Sequence, residues 1–592
     1  MKGISKKILA IIIAAILTLS VSAVGATAYE DDYSEDDYFY TSMIQDGVYY
    51  DITVTDDYAS AVALDYERDE EDNPLIDSSV TIPETIYYEE IPVTVTEIGY
   101  MAFADCHALE EITLPDTIEC INDYAFSGAA NLTKVVIPET IEFTYFGEGV
   151  FEYTPALGYF AENSDDGEII LGRNVLLAYL GNEDSYTVPE EIDFIADYCF
   201  FMSGIKNVTL NDSVSYIPTF AFASCRNLKE VTIPDCVTDI GNGAFADCTN
   251  LGKVNLGDSL EFIYVDAFKN TAIKEIYLGS SIIDVAGAFN GCNQLSKFTI
   301  SEDNEYYYFE DDALYCDDTY YASYEDEVEG ILTTDTYLEF FIRTSEKTTF
   351  NIPEEVDVIG MYAFYGCKNL DEITLTSFVD VLDYAFTYCE FDDFDFSYVT
   401  YVGYHAFSGC KNITSANLIY SCAIGDSAFE NCYNLSDVTF GPLLWSIGGY
   451  AFANTAIKEA YVFGDYCEVY EGAFANCPSL ERVNFEDGVG AIYEYTFTNC
   501  PSLERVYISR TVEYIDETAF NGCNDVVFEL VENSDSADII ISYAEDEEND
   551  VTHYEFVDKI GFFERVGIFF SDLFSQIFDF LFGWITEMFA IV

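Results

Sequence analysis

Apolar residues recur along this chain in blocks, with a period far longer than that of one helix or one strand. A Phe, usually preceded by Ala, marks each block: sixteen fall between Phe103 and Phe520, most of them 21 to 23 residues apart. The two long gaps, Phe151 to Phe200 and Phe289 to Phe364, are close to whole multiples of that step. Counted from Phe222, small or apolar residues follow at Cys225, Leu228, Val231, Ile233, Val237 and Ile240 before the next marker at Phe245. Phe103 and Phe497 open blocks with the same order. The Leu-x-x-Val-x-Ile portion alternates as a brief half-buried strand does, and Pro or Gly then turns the chain into a second apolar pair. One such block cannot bury its own apolar face, whereas stacked blocks can, so the pattern predicts a repeat solenoid with a ladder of short parallel strands and a turn-rich opposite side.

The block resembles the BspA-type leucine-rich repeat. Ile233-Pro234-Asp235-Cys236-Val237-Thr238-Asp239-Ile240-Gly241-Asn242-Gly243-Ala244-Phe245-Ala246-Asp247-Cys248-Thr249-Asn250-Leu251 follows that family's Ile-Pro-x-x-Val-x-x-Ile-Gly-x-x-Ala-Phe-x-x-Cys-x-x-Leu. The resemblance extends over residues 81–530. It implies a secreted or surface-attached bacterial protein, for which adhesion to host proteins or other cells is one expected role.

The chain outside the repeats divides as follows. Lys2, Lys6 and Lys7 precede an apolar run, and Ala26-Thr27-Ala28 supplies a cleavage pattern, so residues 1–28 read as a signal peptide cut between Ala28 and Tyr29. Residues 29–80 read as an acidic leader with a capping hairpin around Gly47–Val54. Segments near 152–185 and 301–350 lack the Ala-Phe marker and read as hairpin insertions. They carry Gly172-Arg173-Asn174-Val175-Leu176-Leu177 and the tyrosines Tyr306, Tyr307, Tyr308, Tyr320 and Tyr321, and these tyrosines are candidates for contact with a partner, since insertions often build a solenoid's binding face. Packing or capping of the interruption is the plainer role for these tyrosines. Residues 531–558 read as an acidic linker. In 559–592, polar residues interrupt a Phe-rich run at helical spacing, which predicts an amphipathic helix. Such a helix serves as a cap, as a membrane-interface contact or as a self-association face.

Composition narrows the function. With 108 Asp+Glu against 23 Lys+Arg, a net charge of -85 repels a phosphate backbone, so nucleic acid is excluded as a partner. Half of the residues are hydrophobic and 16% are aromatic, so the acidity belongs to a folded body rather than to a disordered tail. Nine of the basic residues sit just before the central apolar residue of a predicted strand: Lys134, Lys206, Lys229, Lys253, Lys274, Lys297, Lys458, Arg482 and Arg505. They form either a mixed-charge ladder that relieves repulsion between rungs or a recognition stripe.

Three His, no C-x-x-C pair and no hydrolase, zinc-protease or phosphate-loop motif leave catalysis without support. Acidic runs such as Glu310-Asp311-Asp312, Asp317-Asp318 and Glu545-Asp546-Glu547-Glu548 lack the order of a calcium loop, so the only cofactor chemistry they admit is weak Ca²⁺ binding. Eleven of the 17 Cys share the position three after the marker Phe, where other blocks carry Ala129, Ser203 or Thr271. That position calls for a small buried side chain and predicts free thiols. The expected function is therefore an exported, non-enzymatic protein that recognises a protein or glycan through its repeat face. A self-assembling envelope or matrix protein is the competing class.

Overall fold

The computed structural model describes residues 39–54, 59–66, 76–156, 160, 168–320, 333–463, 466–523, 526–531, 537 and 553–556. The signal segment with Ala28 and Tyr29, Tyr321, the acidic run 545–548 and the helix expected over 559–592 lie outside the described residues, as does the side chain of Tyr320. The chain divides into two compact units, one ending at Tyr307 and the other beginning at Tyr308.

In the first unit, Phe39–Gln45 and Val48–Val54 form an antiparallel hairpin whose two-residue turn, Asp46-Gly47, has φ values of 53° and 79°. Left-handed values at both turn residues match the twist of the flanking strands. Val48–Val54 pairs antiparallel with Ala59–Tyr66, which pairs parallel with Ile91–Ile98 and so starts the ladder. Each later rung contributes two short strands. Glu111–Thr113 and Lys134–Val136 exemplify one column, and Cys120–Ile121 with Tyr145–Phe146 the other. Every second side chain of the first column points inward, as in the exposed-buried-exposed pattern of Glu230–Thr232.

A third ladder runs through the Ala-Phe turns, where no strand is assigned. The amides of Phe220, Phe222 and Ser224 donate to the carbonyls of Asn242, Ala244 and Ala246 on the next rung, at 2.9, 2.8 and 2.7 Å. Alternate amides can all face the next rung because the backbone is left-handed two residues after the marker Phe in all sixteen rungs, and two residues before it in all but the last. Tyr124, Tyr198, Tyr362, Tyr384, Tyr450 and Tyr495 adopt this conformation with φ between 55° and 61°, a costly one for a bulky residue that the inter-rung bonds hold in place. Where Gly243 takes the position, the Phe220 ring lies over it, at a place a Cβ would occupy.

Side chains of the marker Phe stack into a spine. In the first unit the ring centroids of Phe200, Phe222, Phe245, Phe268 and Phe289 follow at 4.6, 5.1, 5.4 and 5.7 Å with planes within 10°. In the second unit the spine runs from Phe364 to Phe520 and gains a ring the marker pattern does not reveal. Phe341 stacks on Phe364 at 5.2 Å, and its amide donates to the Ala363 carbonyl as a marker Phe would.

Both expected insertions contain antiparallel hairpins: Glu168–Leu171 with Val175–Tyr179, and Ala313–Tyr320 with Thr333–Phe341. The inner strand of each rejoins the parallel ladder, at Phe194–Ile195 and Val356–Ile359. Within the stretch 531–558, His553–Phe556 forms a strand parallel to Val527–Leu530, so this part of the expected linker is one more rung of the sheet. The described residues are almost all strand and turn, with a short 3-10 helix at Phe396–Tyr398, and no helix among them is long and apolar enough to cross a membrane.

Candidate binding pocket

The insertion after Phe151 breaks the second strand column. Tyr145–Phe146 pairs back to Cys120–Ile121, whereas Phe194–Ile195 pairs with Val175–Leu176 of the inserted hairpin, so the two neighbouring rungs share no strand pairing. Side chains close this seam. Buried Asn174, in the turn of the inserted hairpin, accepts the Phe143 amide at 2.9 Å and donates to the Phe143 carbonyl and Asp193, both at 2.8 Å. Asp197 accepts the Gly149 amide, and Glu148 accepts the Tyr216 hydroxyl.

Beside the seam lies a cavity of about 680 Å³, within the range of small-ligand sites. Five carboxylates line it, Asp123, Glu148, Asp193, Asp197 and Asp239, together with the rings of Tyr145, Phe146, Phe194, Tyr216 and Tyr264. No Lys or Arg does. The tyrosines point their single protons at the acids: Tyr145 donates to Asp123 at 2.8 Å, Tyr216 to Glu148, and Tyr264 to Asp239 at 3.4 Å. Burial and these carboxylate partners raise the Tyr145 and Tyr216 hydroxyls well above the usual phenol range, so both remain protonated donors. Asp197 is pushed up to about 7, chiefly by burial and further by Glu148 and Glu152, against the pull of the Gly149 and Thr219 amides. Its Oδ1 is enclosed and makes no hydrogen bond.

The basic positions lie elsewhere, on the first strand column, and several pair with an acid one rung earlier. Lys134 bonds Glu111, Lys206 bonds Asp184 at 2.7 Å, and Lys253 bonds Glu230. Arg505 meets Glu529 at 2.5 Å and Glu555 at 2.8 Å, and Arg482 reaches the same Glu529 at 3.5 Å. Lys229, Lys274, Lys297 and Lys458 make no ion pair with a described residue, although Lys297 stands directly opposite Glu275 in the ladder.

Of the insertion tyrosines, Tyr306 is exposed, Tyr307 is buried with its hydroxyl accepting the Val285 amide at 3.0 Å, and Tyr308 stacks on Tyr315 at 5.1 Å. Tyr307 is thus a core residue, the buried first position of the strand Tyr307–Glu310. Asp311 is held by Lys347 at 2.5 Å, Asp312 by Ser345 at 2.8 Å, and Asp317 by Thr336 at 2.8 Å. Among the described residues no three His, Cys, Asp or Glu side chains converge as a metal site.

The family model of the BspA type leucine rich repeat region matches six copies over residues 84–165, 176–296, 336–458 and 420–527, more than half of the chain. The chain belongs to the BspA-type leucine-rich-repeat family. Its fold is correspondingly a solenoid of stacked short parallel strands. A leucine rich cell surface protein from Faecalibacterium prausnitzii is 21% identical, with 84% of this chain and 96% of that one covered and a TM-score of 0.28. The pneumococcal vaccine antigen PcpA is 14% identical, with 88% and 98% covered and a TM-score of 0.34. A leucine-rich repeat protein from Eubacterium ventriosum is 19% identical, with 80% and 92% covered and a TM-score of 0.34. No curated protein matches the chain. The BspA-type pattern accounts for the core positions of each rung, and the pocket's five carboxylates stand at positions this pattern leaves free.

Proposed function

We propose that this BspA-type protein is an exported, non-catalytic binding protein of the bacterial surface or its surroundings. Its repeats form a rigid scaffold, and it recognises a protein or glycan partner where an insertion interrupts them. The observation that carries this reading is the seam cavity, in which carboxylates and aromatic rings from separate rungs converge beside an inserted hairpin. A stack of equivalent rungs needs no such cavity for its stability, and loops or insertions held by a rigid scaffold are where binding residues concentrate. The signal-like segment 1–28 supports export. Alternation that turns the acid-paired basic column outward also leaves that column available as a secondary contact.

The test is binding of the full exported chain to arrayed matrix proteins, mucin glycans and bacterial surface fractions. Saturable binding to a discrete partner, weakened by substitutions at the seam, is the expected result. Concentration-dependent polymers that form without any partner would instead assign the protein to the structural class.

A further inference from the structure

Resting on the binding reading above, the next inference concerns what the seam cavity accepts. Its polar wall is dominated by acceptors, with the Ser215 hydroxyl and the Asn242 amide as the side-chain donors not spent on a neighbour. Tyr145, Tyr216 and Tyr264 have given their only protons to Asp123, Glu148 and Asp239. The Thr144 and Thr238 hydroxyls are likewise donated, to the Glu119 carbonyl at 3.2 Å and the Ser215 carbonyl at 3.4 Å. Against those two neutral donors, the cavity's lining presents five carboxylates and the phenol oxygens, with aromatic rings beside them. No cationic side chain neutralises them, and no metal-ligand geometry is present among the described residues.

We infer that the cavity is a site for an organic cation, an ammonium or guanidinium group carried by a basic side chain or a free polyamine. Such a group supplies several N–H donors at once, neutralises the facing carboxylates through charge-assisted bonds, and lies favourably against the electron-rich faces of Tyr and Phe rings. An anionic or purely acceptor ligand would meet both repulsion and unmatched lone pairs. The electrostatics of the lining agree: Asp197, with Oδ2 on the Gly149 amide and an enclosed, unbonded Oδ1, is pushed up to about 7, chiefly by burial and further by Glu148. An incoming cation stabilises the ionised form of Asp197. The strongly acidic surface draws cations toward the chain in general, so the decisive property is placement at the seam rather than charge alone.

The experiment titrates three probes calorimetrically into the full chain at two salt concentrations: arginine amide, a tetra-arginine peptide and spermidine. Each is measured with the native protein, with Glu148→Gln/Asp239→Asn, and with Glu302→Gln/Asp303→Asn, which removes the same charge from an exposed site away from the cavity. The first double variant is expected to weaken at least one probe by about tenfold or more, and the second by less than about twofold, with unchanged thermal unfolding showing that both remain folded. Preference for tetra-arginine over spermidine would assign the cation to a polypeptide partner, and the reverse to a polyamine. Equal weakening by the two variants, or no saturable binding of any probe, would overturn the assignment. If a partner found on the array still binds tightly while Glu148→Gln/Asp239→Asn leaves it unaffected, the cation site fails and the binding reading stands.

Discussion

The thiol of Cys248 donates to the backbone carbonyl of Phe222, one rung earlier, at 3.1 Å. The same bond joins Cys225 to Phe200, Cys389 to Phe364, Cys410 to Phe386 and Cys432 to Phe407, at 3.0 to 3.1 Å. The position three after the marker Phe therefore asks for more than small size. It places a donor where the marker's carbonyl, already accepting its own rung's amide, has a second lone pair inside the core. Thr455 at the same position donates differently, with a 2.8 Å bond from its hydroxyl to the Phe452 carbonyl of its own rung, which also accepts the Cys477 thiol at 3.2 Å.

Cys248→Ala removes that weak bond and leaves a small void, so it is expected to destabilise the chain by about 1 kcal/mol. Cys248→Leu overpacks a fully buried site and is expected to cost more, about 2 kcal/mol. Chemical denaturation of the two variants checks the order.

Burial pushes the thiols of Cys389, Cys410 and Cys199 far up from their ordinary value, which suppresses the thiolate that reacts with alkylating agents. Cys120, Cys236 and Cys422 are only partly buried. Brief iodoacetamide treatment of the native chain, read by mass spectrometry, is expected to modify these three well ahead of the column beside the Phe spine. Denaturant is expected to equalise them.

Phe245 sits between Phe222 and Phe268 with no exposed surface. Phe245→Ala is expected to cost about 3–5 kcal/mol. Because each rung contacts chiefly its neighbours, the loss is expected to spread along the adjoining rungs, seen as faster amide exchange there than at Phe103 or Phe126.

The charged column separates into two regimes. Lys253 and Glu230 are both more than half exposed at their side chains, at 60% and 52%, so Lys253→Ala is expected to change stability by less than about 1 kcal/mol. Glu529 is 6% exposed and meets Arg505 at 2.5 Å and Arg482 at 3.5 Å, so Arg505→Ala leaves a buried carboxylate with the longer contact alone and is expected to cost roughly 2–3 kcal/mol. Unfolding of both variants in the same buffer checks the contrast.

Asp197 gives a pH signature. Its folded value of about 7 lies above the value near 3.9 of an unfolded Asp, so between those limits the folded state binds the extra proton. Its contribution to stability is therefore fully present at low pH and is lost as pH rises through about 7. Burial sets this direction first, with Glu148 and Glu152 adding to it and the Gly149 and Thr219 amides opposing. Asp197→Asn is expected to flatten the fall in stability between pH 5 and 8 relative to the native chain. An unchanged slope would contradict the placement.

The core was readable because every rung repeats the same inward positions: Phe222, Cys225, Leu228, Val231, Ile233, Val237 and Ile240 are all buried. Both inserted hairpins were readable from the missing marker. Phe341 was obscured because Lys347 stands where the following block would carry its Leu, although Phe341 is one repeat step before Phe364. The third ladder left a faint trace, the Gly, Asn and Asp residues that favour left-handed backbone two places after the marker, as at Asp247 and Asn270. The partners of the basic column were in reach too, since Glu111 precedes Lys134 by one repeat. The seam cavity was not. It joins Asp123, Glu148, Tyr216 and Asp239 across a break in strand pairing, and that break appears only when the inserted hairpin takes the place of a rung.

The most direct measurement is amide hydrogen exchange of the full chain with and without a saturating partner from the array. The account predicts new protection concentrated in segments 143–149, 193–198 and 214–219, around the seam. Protection confined to the segments bearing Lys229, Lys274 or Lys458, with the seam unchanged, would contradict it.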